Sequence, residues 1–120
     1  MKQKLVIQPG QMTLDEIRHV WHHAPYLVLP ESAVMAMEAS SAIVQNIIAK
    51  GDPAYGINTG FGKLAQKRIP DADLEQLQKN LILSHSVGVG EPMSEAVVRL
   101  IMVLKVGSLA RGYSGIRPHV

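Results

Sequence analysis

Residues 55–62 read Tyr55-Gly56-Ile57-Asn58-Thr59-Gly60-Phe61-Gly62. Three glycines in eight residues disfavour helix and strand alike. Yet a tyrosine, an asparagine and a threonine stand at set places between them. Three readings compete: a phosphate-cradling loop, a plain turn, and a mobile loop that delivers a reactive side chain. The first fails on spacing. Gly62-Lys63 is followed by Leu64, so no hydroxyl is placed for magnesium as in a Walker loop. Glycines at 56, 60 and 62 do not fit Gly-x-Gly-x-x-Gly either. The other two readings stay open on these residues alone. Isolated glycine-rich turns mostly have no chemistry, whereas a tyrosine among flexible residues can swing into a pocket.

The stretch lies inside a connection of about residues 51–70, bounded by Pro53 and Pro70. Structureless connections longer than ~12–15 residues are usually functional or disordered. Before it, residues 31–50 predict a long helix with Met37, Val44 and Ile48 near one face and Gly51 as its stop. After it, Asp71 is expected to cap a helix over 72–86. Leu74, Leu77 and Leu81 line one face of that helix, and His85 lies one turn farther along the stripe, aimed toward the buried side. Gly88-Val89-Gly90 and Pro92 break the chain before a last helix over 94–111.

That last helix is apolar nearly all round, from Val97 and Val98 through Leu100 to Val106. Such a helix is normally buried on most sides, and 120 residues offer little to cover it. Packing against a larger polypeptide or partner subunits is therefore expected. The ending from Arg111 to Val120 shows no closing element, so the sequence reads as the front part of a larger protein.

Toward the N-terminus, Leu5-Val6-Ile7 predicts a strand ended by Pro9-Gly10. Thr13-Leu14-Asp15-Glu16 fits a capping box that opens a helix over 13–23. Tyr26-Leu27-Val28-Leu29 predicts a second strand closed by Pro30. Two strands this short need each other, so they are expected to pair. The fold class is mainly α with a short two-stranded β element.

Composition narrows the function classes. Apolar residues make up 47% and charged residues 18%, which fits a globular chain. A net charge of +2, scattered bases and 4% aromatics argue against nucleic-acid binding. There are no cysteines, hence no disulfides, thiolate zinc sites or cysteine nucleophiles. The first residues carry too short an apolar run for a signal peptide, and the run 96–110 is broken by Arg99 and Lys105. No membrane contact and a cytoplasmic location are expected.

Two histidine groups need weighing. His19, His22 and His23 share a helix face and could in principle bind a metal. They sit at a helix end, where histidine is favourable against the dipole, and no carboxylate completes the set, so a structural role is expected and no metal. Ser84-His85 is not a hydrolase pair, because adjacent helical residues diverge by ~100° and no nucleophile elbow accompanies them.

Taken together, Tyr55–Gly62 and Asn80-Leu81-Ile82-Leu83-Ser84-His85-Ser86-Val87-Gly88-Val89-Gly90 resemble the aromatic amino acid lyase family. The stretch from Leu104 to Arg117 and the opening strand, turn and threonine-led helix look like it too. The resemblance covers essentially residues 1–120, but only about the first quarter of a family member. It implies the helical N-terminal domain of that fold, with about 51–70 as an active-site lid loop.

The resemblance further implies elimination of ammonia from an L-amino acid. The histidine-acting members fit best, giving trans-urocanate from L-histidine. Their electrophile is 4-methylideneimidazole-5-one (MIO), formed from an internal Ala-Ser-Gly. A tyrosinate takes the β-proton, and by the motif that tyrosine is Tyr55. A phenol ordinarily ionises near pH ~10, so positive charge and donors must be aimed at such a base. Gly56, Gly60 and Gly62 let the loop fold tightly and move, while Asn58 and Thr59 tie it down through local backbone hydrogen bonds. His85 matches the substrate-selecting position and favours histidine, with tyrosine second. Family members are homotetramers whose sites combine three subunits.

Two departures stand out. Ala-Ser-Gly occurs nowhere, Ala39-Ser40-Ser41 being nearest, so the electrophile cannot form here and these 120 residues alone are expected to be inactive. Histidine-acting members usually have asparagine where Gly107 stands. The rival readings are a tyrosine ammonia-lyase or aminomutase, and a non-catalytic association domain.

Overall fold

The structure, a computed structural model, describes residues 3–120. They form two compact units, one from the chain up to Ile43 together with Pro92 onward, the other from Val44 to Glu91. The first holds β1 (Lys4–Val6), α1 (Leu14–His23), β2 (Tyr26–Val28), most of α2 (Glu31–Lys50), and α4 (Glu95–Leu109). The second holds the end of α2, a 3-10 turn at Gly62–Leu64, and α3 (Asp71–His85).

β1 and β2 do pair, and in parallel, with Leu5 opposite Leu27. The direction follows from α1, which lies between them and returns the chain to the same end. The first strand sits one residue earlier than its apolar run. Ile7 closes the ladder through its N–H to the Val28 carbonyl at 2.9 Å and turns its side chain into the core, 1% exposed. There it meets Val20 of α1 and Val103 of α4, with Leu5, Met12, Leu27 and Leu100 packed around them. Arg99, which interrupts the apolar run of α4, donates to the Val20 and Trp21 carbonyls at 3.4 and 3.2 Å. Both belong to the last turn of α1, whose C-terminal end attracts a cation: the Val20 carbonyl also accepts from the Ala24 N–H at 3.3 Å, while Pro25, with no N–H, leaves the Trp21 carbonyl without its helical donor.

The Thr13 capping box is present in full. The Glu16 N–H donates to Thr13 Oγ1 at 3.3 Å, and the Thr13 N–H donates to Glu16 Oε2 at 2.7 Å. The Thr13 N–H, and secondarily its hydroxyl, hold the Glu16 carboxyl below the ordinary glutamate range. A lowered carboxyl pKa stabilises the fold above the unfolded-state value, and that contribution is lost as pH falls through the folded-state value. Thr13→Ala is expected to cost about 1 kcal/mol at neutral pH. Urea midpoints should show the gap to wild type narrowing in acid, where Glu16 is protonated in both proteins. An unchanged gap would contradict this account of the cap.

α2 ends where expected, with the Gly51 N–H on the Ile48 carbonyl at 3.0 Å. Among the described residues it is the one helix long and apolar enough to cross a membrane. No uninterrupted apolar run is involved: the average tolerates Glu38, Ser40, Ser41, Gln45 and Asn46, polar groups that are costly in hydrocarbon.

Asp71 does not cap α3. Pro70 takes the cap position with no side-chain bond, and Asp71 is the first helical residue. Its carboxylate is drawn instead to Arg68 Nη2, at 3.1 Å. In α4 only Val103 and Gly107 are buried, while Ile101, Met102 and Leu104 remain about half exposed or more. Gly107 faces the core, where an added Cβ would stand 3.4 Å from Met12 Sδ. A side chain there would therefore begin in contact with the Met12 thioether.

Candidate functional site

The second unit carries both residues singled out above, Tyr55 and His85. The 51–70 connection is not structureless. The Ala54 carbonyl accepts from the Ile57 and Asn58 N–H groups at 3.0 and 3.2 Å, folding a tight turn around Tyr55. Gly56 sits in that turn at φ +78°, a conformation that side chains rarely adopt. Asn58 is fully buried and closes the turn from below. Its Oδ1 accepts from the Ala54 N–H at 2.8 Å, and its Nδ2 donates to the Asp52 carbonyl at 3.0 Å. The asparagine amide thus ties together the backbone on the N-terminal side of Tyr55.

A second layer lies behind it. Thr59 pairs with Arg68 in an antiparallel bridge. The Gly60 N–H donates to the Lys67 carbonyl at 3.0 Å, and the Ile69 N–H to the Asn58 carbonyl at 2.8 Å. Thr59 is 1% exposed, its hydroxyl on the Gly60 carbonyl at 3.0 Å. Gly60 admits no larger residue, because a Cβ would lie 2.7 Å from Leu64 Cβ. The Arg68 side chain also lies beside Gly51, 3.3 Å from where a Cβ would stand, so entry and exit of the loop are neighbours.

Above this satisfied base Tyr55 is 67% exposed. Its ring meets Phe61 edge-on, with centroids 5.8 Å apart. The phenol oxygen has no hydrogen-bond partner among the described residues. Phe61 and Arg68 are the contributions that sequence reasoning passed over. Phe61 stood inside the quoted motif with no role given, and Arg68 looked like one of several scattered bases.

His85 departs from expectation in two ways. It is exposed, not buried, because α3 has no buried residue and only Leu74, Leu77 and Leu81 are partly covered. Nor do Ser84 and His85 point apart. Ser84 Oγ lies 3.1 Å from His85 Nδ1, and both reach the Leu81 carbonyl, at 3.2 and 2.8 Å. Side chains at a helix end lean back toward the preceding turn and can share one carbonyl, which closes the angular gap. No hydrogen bond or ring contact joins Tyr55 to His85 among the described residues.

The His19 and His23 rings lie 4.9 Å apart, tilted by 41°. Among the described residues no group of three or more histidine, aspartate or glutamate side chains could hold a metal. The first unit has an apolar groove of about 410 Å³ lined by Leu29, Met37, Met102 and Leu109 among others. With little polar lining, it is an uncovered packing surface more than a reaction site.

A family model described as aromatic amino acid lyase matches residues 12–120. The chain is 54% identical to a histidine ammonia-lyase of Salmonella arizonae over 97% of its own length and 23% of that protein. Among solved structures it is similar to histidine ammonia-lyase from Trypanosoma cruzi, with a TM-score of 0.86 and 33% identity, over 98% of this chain and 22% of that one. Tyrosine aminomutase from Streptomyces globisporus gives a TM-score of 0.88 at 28% identity, over 97% of this chain and 22% of that one. The chain thus spans under a quarter of the length of the relatives it matches.

Proposed function

The chain belongs to the aromatic amino acid lyase family, and from that premise we propose that it is part of an enzyme that eliminates ammonia from L-histidine to give trans-urocanate. The observation that carries the reading is Tyr55, held out 67% exposed on a loop whose buried polar side chains, Asn58 and Thr59, already have their partners within it. A side chain with no hydrogen bond to keep among the described residues is free to act as the base that removes the β-proton. The 51–70 loop then serves as the lid that carries it over the substrate and excludes water. His85 meets the substrate ring, and the relatives named histidine ammonia-lyase support histidine as that substrate.

The MIO group of this family would polarise the substrate toward elimination. These residues do not supply it. Ala39-Ser40-Ser41 lacks the glycine and lies inside α2, where Ser40 Oγ accepts from the Gly115 N–H at 2.9 Å. The electrophile must come from other sequence. The exposed apolar side of α4 supports assembly with further chain or further subunits, a homotetramer in the family.

The likeness to tyrosine aminomutase supports a second reading, in which tyrosine is the substrate. Rates on histidine, tyrosine and phenylalanine, measured side by side with a full-length polypeptide containing this chain, separate the two. Histidine is expected to be fastest, and a clear preference for tyrosine would overturn the substrate assignment. The 120 residues alone are expected to form no urocanate.

A further inference from the structure

We propose that the last turn of α3 holds His85 in its Nδ1–H tautomer, with Ser84 as the positioning residue, so that Nε2 is presented as a hydrogen-bond acceptor for an N–H or O–H donor on the substrate ring. The proposal rests on the reading of His85 as a substrate contact and adds the polarity of that contact.

The Leu81 carbonyl lies 2.8 Å from His85 Nδ1. A carbonyl oxygen only accepts, so a contact this short requires a proton on Nδ1. In the other tautomer two acceptor lone pairs would face each other. Ser84 adds to the bias. Its hydroxyl lies 3.2 Å from the same carbonyl and 3.1 Å from Nδ1. It can donate to Leu81 and accept from Nδ1–H at once, an arrangement that is consistent only with Nδ1 protonated. Ser86 follows the same pattern, its hydroxyl on the Ile82 carbonyl at 2.6 Å. Both flanking hydroxyls are turned back on the helix.

That leaves Nε2 as the one side-chain polar atom of Ser84-His85-Ser86 with no partner among the described residues, at an exposed helix end. The neutral ring has one donor and one acceptor, and which is which is set by the bond the other nitrogen makes. Here the donor is spent on the backbone. The free nitrogen then reads a donor on the ligand: an imidazole N–H or a phenol O–H, but not a bare phenyl ring.

The test is a long-range proton–nitrogen correlation spectrum of the full chain with nitrogen-15 histidine, at about pH 8, above the ordinary histidine range. The His85 signals are assigned by their loss in His85→Gln. Nδ1 is expected to be protonated and Nε2 bare, with the Nε2–H form gaining in Ser84→Ala and receding again in Ser84→Thr. In a full-length enzyme containing the chain, Ser84→Ala should raise KM for histidine about three- to tenfold, the worth of one net hydrogen bond, with kcat little changed. A predominantly Nε2–H His85 would overturn the proposal whatever the activity. An Nδ1–H His85 whose replacement by glutamine leaves histidine turnover intact would instead overturn the substrate reading and leave the tautomer standing.

Discussion

Replacing Tyr55 by phenylalanine in a full-length enzyme containing this chain is expected to lower kcat on L-histidine by on the order of 10²–10⁴-fold, the worth of a positioned general base. Stability should hardly change. The phenol makes no hydrogen bond among the described residues, the ring is 67% exposed, and its edge contact with Phe61 survives the substitution. Exposed substitutions away from special features usually stay within about ±0.5 kcal/mol. Activity and stability therefore separate. Steady-state kinetics beside thermal melts provide the check. A variant with full activity would support the rival of a domain kept only for association. A large loss of melting temperature would mean that the hydroxyl has a structural bond.

The second large effect is expected at Asn58, where activity and local order should fall together. Asn58→Ala removes the bond from Ala54 and the bond to Asp52 in one step, at a fully buried position. Unmade hydrogen bonds at buried groups cost about 1–3 kcal/mol each, and Ala54 and Asp52 keep some access to water, so a local cost of about 2–4 kcal/mol is reasonable. The loop backbone should loosen first. Hydrogen exchange at the Gly60 and Ile69 amides, bonded to Lys67 and Asn58, should speed up, with amides of α1 and α4 as internal controls. Catalysis should fall as well, since Tyr55, the proposed base, is then no longer held in place. Unchanged exchange at Gly60 and Ile69 would show that Asn58 is not what orders the loop.

Local signals in the chain carried the elements well. Thr13 and Glu16 announced a capping box that the structure contains, and Gly51 ended α2 on its residue. These features depend on neighbours three or four residues apart, which a sequence displays directly. The pairing of β1 with β2 was legible, but its direction came from α1 returning the chain. Asp71 was misread because helix capping and ion pairing compete for one carboxylate, and Arg68 lies three residues away.

The candidate loop was legible in its motif more than in its architecture. Tyr55 and the glycines were plain to see, whereas the bridge between Thr59 and Arg68 joins residues nine apart across a loop with no periodic pattern. His85 was placed on a buried face by its spacing from Leu81. Spacing gives a direction on the helix but does not say whether anything covers that direction. The same limit applies to α4, whose apolar character is evident in sequence although Ile101, Met102 and Leu104 stay about half exposed or more.

The most direct measurement follows the proton itself. L-Histidine stereospecifically deuterated at the β-carbon is given to the full-length enzyme and to its Tyr55→Phe variant, and loss of deuterium to water is followed together with histidine binding. The account predicts removal by the wild type and almost none by the variant, with binding preserved. Deuterium loss that continues undiminished in Tyr55→Phe would contradict the assignment of Tyr55 as the base.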